Sequence, residues 1–219
     1  MSDLGRNLLP IIAVAAAAGL IPFAVITTTA FLKISIVLFL VRNALGTQQT
    51  PPTLVLYAIA LVLTAYVSAP VVTEVVGRLQ APTVSYATAD GLRDAMASAA
   101  EPVKASLRRS APDEEREFLL ATAQRIWPDE YYKTAGTDDL LILIPAFVIS
   151  ELTRGFEAGF LLYLPFIAID LIVSSILMAM GMMMVSPQVI STPFKIFLFV
   201  VVSGWTRLLH GLLASYAGP

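Results

Sequence analysis

The segment that decides the fold is residues 160–195, FLLYLPFIAIDLIVSSILMAMGMMMVSPQVISTPFK. It is a long apolar run with one carboxylate, Asp170, near its middle, and it ends in a methionine-rich stretch and the turn at Ser186 and Pro187. About 20 consecutive apolar residues are enough for a helix to cross the hydrocarbon core of a membrane. A carboxylate inside such a helix is costly, so Asp170 is expected to have a partner or a function.

The composition of the whole chain indicates an integral membrane protein. Of its 219 residues, 57% are hydrophobic and 14% are charged, and the mean hydropathy is +0.78, whereas a soluble domain has about 45–50% apolar and about 25% charged residues. The formal net charge of −2 argues against a nucleic-acid-binding surface. The chain has no cysteine and a single histidine, His210, so we expect no metal cluster built from those residues and no cofactor.

The charged residues are unevenly distributed, and their distribution predicts three parts. Nineteen of the thirty charged residues lie between Arg78 and Asp139. We therefore predict an all-α membrane protein with four hydrophobic helical regions. A hydrophobic helical hairpin occupies residues 1–76, a hydrophilic helical insert occupies residues 77–139, and a second hydrophobic hairpin with a methionine-rich loop occupies residues 140–219.

The start of the first hairpin has two interpretations. Residues 7–32 carry no charged side chain, which is typical of a retained membrane helix. A cleaved signal peptide is the alternative, because this run is rich in alanine. The run is longer than the roughly 7–15 apolar residues of a signal peptide, and only Arg6 precedes it, which favours the retained helix. Residues 33–42 are expected to extend this helix, before a loop at residues 43–52 and a second apolar helix at residues 54–73.

The hydrophilic insert is expected to be helical. A first helix is predicted at residues 89–109, and a second begins at Pro112, because the acids that follow suit the positive end of a helix. The second helix has one modest apolar face, formed by Phe118, Leu119, Thr122 and Ile126. Positive-inside counting, with basic residues and no acid in the first short loop, places that loop in the cytoplasm and the insert outside it, which in a Gram-negative cell is the periplasm.

A group of charged residues precedes the run that holds Asp170. Glu151, Arg154 and Glu157 are spaced by three, so they lie roughly on one helix face, and the first two can pair. Because ionised groups that face lipid are costly, this segment lies either at the water interface or against other subunits. Lys195, at the start of the last apolar run, is the candidate partner of Asp170.

The five methionines in residues 178–184 have two interpretations. They could be flexible filler in a packed core near a helix end. Alternatively, they form a deformable apolar constriction that excludes water and closes around a passing chain of varied shape. The consecutive Met182, Met183 and Met184, followed by a Ser-Pro turn, are more typical of a loop surface than of a packed helical stripe, whose residues recur at three and four.

Four motifs resemble the FliP/SctR family of type III secretion export-gate proteins, in the family's order and across nearly the whole chain. They are RNALGTQQTPP at residues 42–52, SELTRGFEAGF at residues 150–160, GFLLYLPFIAIDLIVSSILMAMGMMMVSP at residues 159–187 and PFKIFLFVVVSGW at residues 193–205. The segments FLKISIV and LGTQQTPP are closer to SctR, the injectisome branch, than to flagellar FliP. Ser203 departs from the aspartate that many relatives carry there, which puts any polar contact of that acid in doubt here.

This resemblance implies a non-enzymatic subunit of a protein-conducting gate in the bacterial inner membrane. Family members form a helical homopentamer that joins SctS and SctT, and the gate also meets SctU and the SctV ring and passes unfolded secreted polypeptides. The family's methionine-rich loop is a gasket in the pore, which by position corresponds to Met182, Met183 and Met184. The charged residues of the second hairpin would be satisfied by neighbours instead of lipid; they are Glu151, Arg154, Glu157, Asp170 and Lys195.

Two other functions stay open on the residues alone. A small proton- or ion-coupled transporter would use Asp170, although the two hairpins show no convincing similarity to each other. A membrane-embedded enzyme would need a cluster of His, Asp and Glu residues or a motif-flanked Ser, and the sequence has neither. It also has no nucleotide-binding loop, so we do not expect ATP hydrolysis by this chain.

Overall fold

The computed structural model describes residues 12, 15, 19–20, 22–47, 49–81, 88–182 and 184–217. These residues form helices and connecting turns without a strand, so the predicted all-α fold class is confirmed. The helices are α1 Pro22–Thr28, α2 Phe31–Ala44, α3 Thr53–Leu79, α4 Ala89–Ser110, α5 Asp113–Ile126, α6 Asp129–Tyr132, α7 Leu140–Ala179, α8 Pro187–Val201 and α9 Gly204–Ala214.

Several of these helices are membrane-spanning candidates. Among the described residues, α3 and α7 are each long and apolar enough to cross a membrane. The number rises to four if the bent pairs α1 with α2 and α8 with α9 each count as one span, which agrees with the four predicted hydrophobic regions. The pair α8 and α9 is bent by 62°, and Ser203 between them has a left-handed backbone conformation with φ of 53°.

The predicted extension of the first helix through residues 33–42 is wrong, because α1 ends at Thr28 and α2 begins at Phe31. The end of α1 offers a physical reason. The hydroxyls of Thr27 and Thr28 donate back to main-chain carbonyls one turn earlier, at 2.8 and 2.7 Å, a pattern that bends helices. The choice between a retained helix and a signal peptide depends mainly on residues outside the described ones.

The second hairpin differs from its prediction in the length of its first helix. The sequence separates an apolar stretch at residues 140–150, a charged stretch and an apolar run at residues 158–185, whereas the structure has one continuous helix, α7, of 40 residues. At 1.5 Å per residue this helix is roughly 60 Å long, about twice the hydrocarbon thickness of a membrane. The charged stretch does not interrupt it, because Glu151 is buried against partners in the same chain.

The chain divides into two compact units. The insert unit comprises residues 1–29 and 74–150, and the hairpin unit comprises residues 30–73 and 151–219. The predicted domain division, at residues 1–76, 77–139 and 140–219, stays a prediction.

The insert unit has a small core in which α4 meets the first turns of α7. Leu107 of α4 packs with Leu143 and Phe147 of α7, and the hydroxyl of Ser150 donates to the carbonyl of Ser110 at 2.8 Å. The helices predicted in the insert are confirmed as α4 and α5. The apolar face predicted on α5 is partly solvent-facing, because Phe118 and Ile126 are exposed while Leu119 packs against the core.

Helix α2 is the centre of the hairpin unit. Five of its apolar residues are at most 2% exposed; they are Ile34, Val37, Leu38, Val41 and Ala44. The other helices of the unit each add buried residues to the same cluster, including Leu56, Phe166, Phe199 and Leu208. Burying one such side chain contributes about 1.5–3 kcal/mol, so this cluster fixes the helices that carry the charged residues.

Two glycines allow α7 to approach α2 closely. A Cβ atom at Gly155 would lie 3.4 Å from the Cα of Lys33, and a Cβ at Gly159 would overlap Leu40. Larger residues at these positions would push the two helices apart. The glycines of the GFEAGF motif therefore serve the packing that places Lys33 next to the charged stretch of α7.

Candidate functional site

One charged cluster joins α7, α8 and the end of α2 around Asp170. Lys195 donates from Nζ to Asp170 Oδ2 at 2.6 Å, and Ser191 donates from Oγ to Asp170 Oδ1 at 2.6 Å. The same Lys195 ammonium donates to the main-chain carbonyl of Ala44 at 3.1 Å. Both carboxylate oxygens and one end of α2 are thus satisfied in a single network, the Asp170 cluster.

The local sequence explains how α8 presents these partners. Pro187 is at the first turn of α8, where a missing N–H has no cost. Ser191 and Lys195 are four residues apart and project from the same helix face, and Ala44 carries one of the carbonyls that a helix end leaves free. Lys195 and Ser191 are buried, whereas the side chain of Asp170 is 39% exposed.

A second charged cluster on α7 is centred on Glu151, whose side chain is fully buried. Lys33 Nζ lies 3.8 Å from Glu151 Oε2, Arg154 Nη1 lies 3.5 Å from Oε1, and the hydroxyl of Tyr216 donates to Oε2. Lys33 Nζ also lies 3.6 Å from the centroid of the Tyr216 ring, within cation–π distance. These four residues form the Glu151 cluster.

The protonation of Tyr216 follows from its surroundings. Burial is the larger cause that raises the pKa of Tyr216 above its ordinary value. The neighbouring Glu151 carboxylate raises this pKa further, because each of the two disfavours a phenolate. Tyr216 therefore keeps its proton at neutral pH, and its hydroxyl acts as a donor to Glu151.

The structure brings together four of the five charged residues that the sequence singled out. The pairs Asp170 with Lys195 and Glu151 with Arg154 both occur within the chain. Glu157 is exposed and forms no ion pair with any residue that the structure describes. A role of these five residues in assembly stays a prediction.

Sequence reasoning missed three partners in these clusters. Ser191 had a signal, because it precedes Lys195 by one helical turn. Lys33 also had one, since a lone cation near the start of an apolar helix needs a partner. Tyr216 had none, because only the folded chain brings it next to Glu151.

The two clusters are built to hold helices together. No group of three or more His, Asp or Glu side chains in the described residues could hold a metal ion. Asp170 and Glu151 are nineteen positions apart on α7, roughly 28 Å along the helix. Each carboxylate already faces at least one basic group and a hydroxyl, so each cluster ties α7 to neighbouring helices of the hairpin unit.

The methionine-rich segment leaves the core at the end of α7. The helix ends at Ala179, and Gly181 has φ of 71°, a backbone conformation that side chains rarely adopt. Met182 is 40% exposed and Met184 is fully exposed, whereas Met183 lies outside the described residues. The exposure of Met182 and Met184 disagrees with the interpretation as core filler and favours a loop surface.

The loop between α2 and α3, which contains the RNALGTQQTPP motif, packs against α8. Arg42 Nη1 donates to Thr53 Oγ1 at 3.0 Å across this loop. Gly46 has φ of 76°, and a Cβ there would lie 2.7 Å from Thr192 Oγ1, so glycine is needed on two grounds. This contact holds the loop beside the bond between Lys195 and the Ala44 carbonyl.

Comparison with known proteins agrees with these motifs. The family model described as "FliP family" matches residues 14–212. The chain belongs to the FliP family. The resemblance to the FliP/SctR family of type III secretion proteins, carried by the four sequence motifs, is therefore confirmed.

Relatives of this FliP-family chain cover it almost completely. Probable translocation protein y4yL of Sinorhizobium fredii is 52% identical over 219 residues, which are 100% of this chain and 99% of that protein. Harpin secretion protein HrpW of Pseudomonas syringae pv. syringae is 49% identical over 198 residues, 90% of this chain and 95% of that protein. Yop proteins translocation protein R of Yersinia pestis is 46% identical over 199 residues, 91% and 92% of the two chains. As a member of this family, the chain is a component of a secretion apparatus.

Proposed function

We propose that this chain is an SctR-type subunit of the export gate of a type III secretion apparatus, and that it acts without enzymatic activity. In this proposal several copies, five by the family's pattern, assemble in the bacterial inner membrane with SctS- and SctT-type subunits. The gate meets SctU- and SctV-type proteins and passes unfolded polypeptides, and the hydrophilic insert lies in the periplasm. The family match and the apolar helices support this assignment.

The observation that carries the gate function is the exposed methionine loop. A loop with Met182 and Met184 turned away from the core offers soft apolar side chains to whatever lies beside it. A ring of such loops from several copies would exclude water and ions, as hydrophobic constrictions do. Methionine is flexible and polarizable, so the same ring would fit closely around polypeptides of different shape.

The Asp170 cluster supports this function by fixing the loop from both sides. Asp170 lies on α7, before the methionines, and Ser191 and Lys195 lie on α8, after them. Their bonds at 2.6 Å join the two helices close to the loop, so the loop starts and ends at defined positions. Glu157 is exposed on α7 and is the charged residue that another subunit would be expected to satisfy.

The gasket is tested by replacing Met182, Met183 and Met184 together by alanine. Assembly should be intact, because the described side chains of this loop lie outside the core, and conductance of ions through the assembled complex in a planar bilayer should rise. The matched control is Met96→Ala, an exposed methionine of the insert unit, which should leave conductance unchanged. A triple variant that assembles fully and conducts no more than wild type would refute the gasket.

A small proton- or ion-coupled transporter is the alternative function. The observation in its favour is that Asp170 lies on an apolar helix and yet its side chain is 39% exposed, so a transported ion could reach it. The two functions differ in what the charge of Asp170 supports. If the chain is a gate subunit, Asp170→Asn should impair assembly. If the chain is a transporter, the same variant should abolish ion-coupled transport and leave assembly intact.

A further inference from the structure

The hairpin unit contains a long apolar groove with a volume of about 620 Å³. Residues of α2, α7, α8 and α9 line it. Three basic residues, Lys33, Arg154 and Arg207, line it together with the aromatic Phe166 and Phe199. A mainly apolar lining with basic side chains suits an amphipathic anion.

The charge of the groove is unbalanced. Lys33, Arg154 and Arg207 line it, and none of the described residues that line it is acidic. Glu151 pairs with the first two and so balances one of the three positive charges. Arg207 is exposed and forms no ion pair within the described part of the chain. Basic pockets between membrane helices bind anionic lipid headgroups.

The lining of the groove suits an extended hydrocarbon chain. Apolar side chains of α7, α8 and α9 line it, including Leu161, Phe166, Leu198 and Leu208. Burial of methylene groups against such a lining is favourable.

We propose that this groove binds one acyl chain of an anionic phospholipid, whose phosphate contacts the guanidinium group of Arg207. The apolar wall provides burial for the methylene groups, and arginine matches the geometry of phosphate oxygens. A zwitterionic lipid would add a positive group beside arginines that are already in excess. The groove therefore selects phosphatidylglycerol over phosphatidylcholine with the same acyl chains.

The headgroup half of the proposal is tested by native mass spectrometry of the purified full chain in mild detergent. Phosphatidylglycerol should be retained as a single adduct, and chain-matched phosphatidylcholine should not. Arg207→Gln should weaken phosphatidylglycerol binding about fivefold, the effect of one basic residue near an anionic lipid. Arg109→Gln is the matched control, since Arg109 is exposed on the insert unit and should bind lipid as wild type does.

The acyl-chain half is tested by filling the groove. Gly211 lines it, and a Cβ atom at Gly211 would meet no atom within 4 Å, so Gly211→Leu places a side chain in the open space. Leucine is also the better helix former, so the variant should fold. It should lose phosphatidylglycerol, whereas Gly77→Leu, at an equally open position of α3, should keep it.

Four outcomes would overturn the proposal. They are equal retention of the two lipids, unchanged binding by Gly211→Leu, displacement of phosphatidylglycerol by soluble glycerol phosphate, and an empty wild-type groove combined with loss of self-association in Gly211→Leu. The third would show that a free phosphate ester is the ligand, and the fourth that a second copy of the chain occupies the groove.

Discussion

Helix α7 carries two carboxylates that are satisfied in different ways. Asp170 has one basic partner, the buried Lys195, and one hydroxyl from Ser191. Glu151 is fully buried and has two basic partners, Lys33 and Arg154, and one hydroxyl from Tyr216. The Asp170 cluster is therefore electrically neutral and depends on one cation. In the Glu151 cluster two cations share one carboxylate, so this cluster carries an excess positive charge.

This difference determines which substitutions should destabilise each cluster. In the Asp170 cluster the loss of Lys195 leaves a carboxylate without any cation, and the Ala44 carbonyl loses its donor as well. In the Glu151 cluster the loss of one cation leaves another in place, so the fully buried carboxylate is still paired. Removing one partner from a buried pair costs far more than replacing the whole pair by neutral groups.

The largest expected effect is that of Lys195→Met. It should lower the free energy of unfolding by about 3–5 kcal/mol, the cost of breaking a buried ion pair, towards the lower end because Asp170 is 39% exposed. Arg154→Gln should cost about 1 kcal/mol or less, because its side chain is 45% exposed and Lys33 remains. Unfolding in mixed detergent micelles can be followed by tryptophan fluorescence. Trp205 packs against the core, with its ring 5.3 Å from that of Phe199, so unfolding changes the surroundings of the indole.

The double variant with Asp170→Asn and Lys195→Met provides the control for this contrast. It removes both charges together, so it should recover at least half of the stability that Lys195→Met loses. Equal losses in the single and double variants would show that the unpaired charge is not the cause. A loss in Arg154→Gln as large as that in Lys195→Met would contradict the idea that the Glu151 cluster shares its carboxylate.

Tyr216→Phe should have the next largest effect. It removes the hydroxyl that donates to Glu151 and keeps the ring over Lys33. A hydrogen bond to a charged group contributes about 1.5–3 kcal/mol, so the free energy of unfolding should fall by about that amount in the same detergent titration. Tyr66→Phe, at an exposed position of α3, should stay within about 0.5 kcal/mol of wild type, and an equally small change in Tyr216→Phe would rule out the bond.

Much of the fold was predictable because its signals are local. The all-α class, the four hydrophobic regions and the helices of the insert follow from composition, apolar runs and the acids after Pro112. The unbroken α7 was not predictable in the same way. Glu151 and Arg154 read as an interruption of an apolar run, and only the approach of Lys33, from a distant part of the chain, removes the cost of burying Glu151.

The candidate site was predictable where a charge stood alone in an apolar run. Asp170 needed a cation, and Lys195 was the nearest candidate in the last apolar run, four positions after Ser191. Tyr216 could not be predicted, because a tyrosine beyond the last helix has no periodic pattern that links it to Glu151. Its place depends on the packing of α9 in the hairpin unit, which is a property of the whole core.

The smallest expected effect is the pH dependence of the Tyr216 bond. The fold raises the pKa of Tyr216 above the ordinary value of about 10, so the unfolded chain loses this proton first as the pH rises. The stability that the neutral hydroxyl contributes is then complete below about pH 10 and declines above it, by at most about 1.4 kcal/mol per pH unit. Phenylalanine has no such proton, so the difference in free energy of unfolding between wild type and Tyr216→Phe should be constant up to about pH 9 and shrink by pH 11.

The corresponding difference for Tyr66→Phe should stay flat. If the Tyr216 difference also stayed flat or grew with pH, the Glu151 cluster would not be favouring the protonated hydroxyl, and its contrast with the Asp170 cluster would reduce to the number of cations.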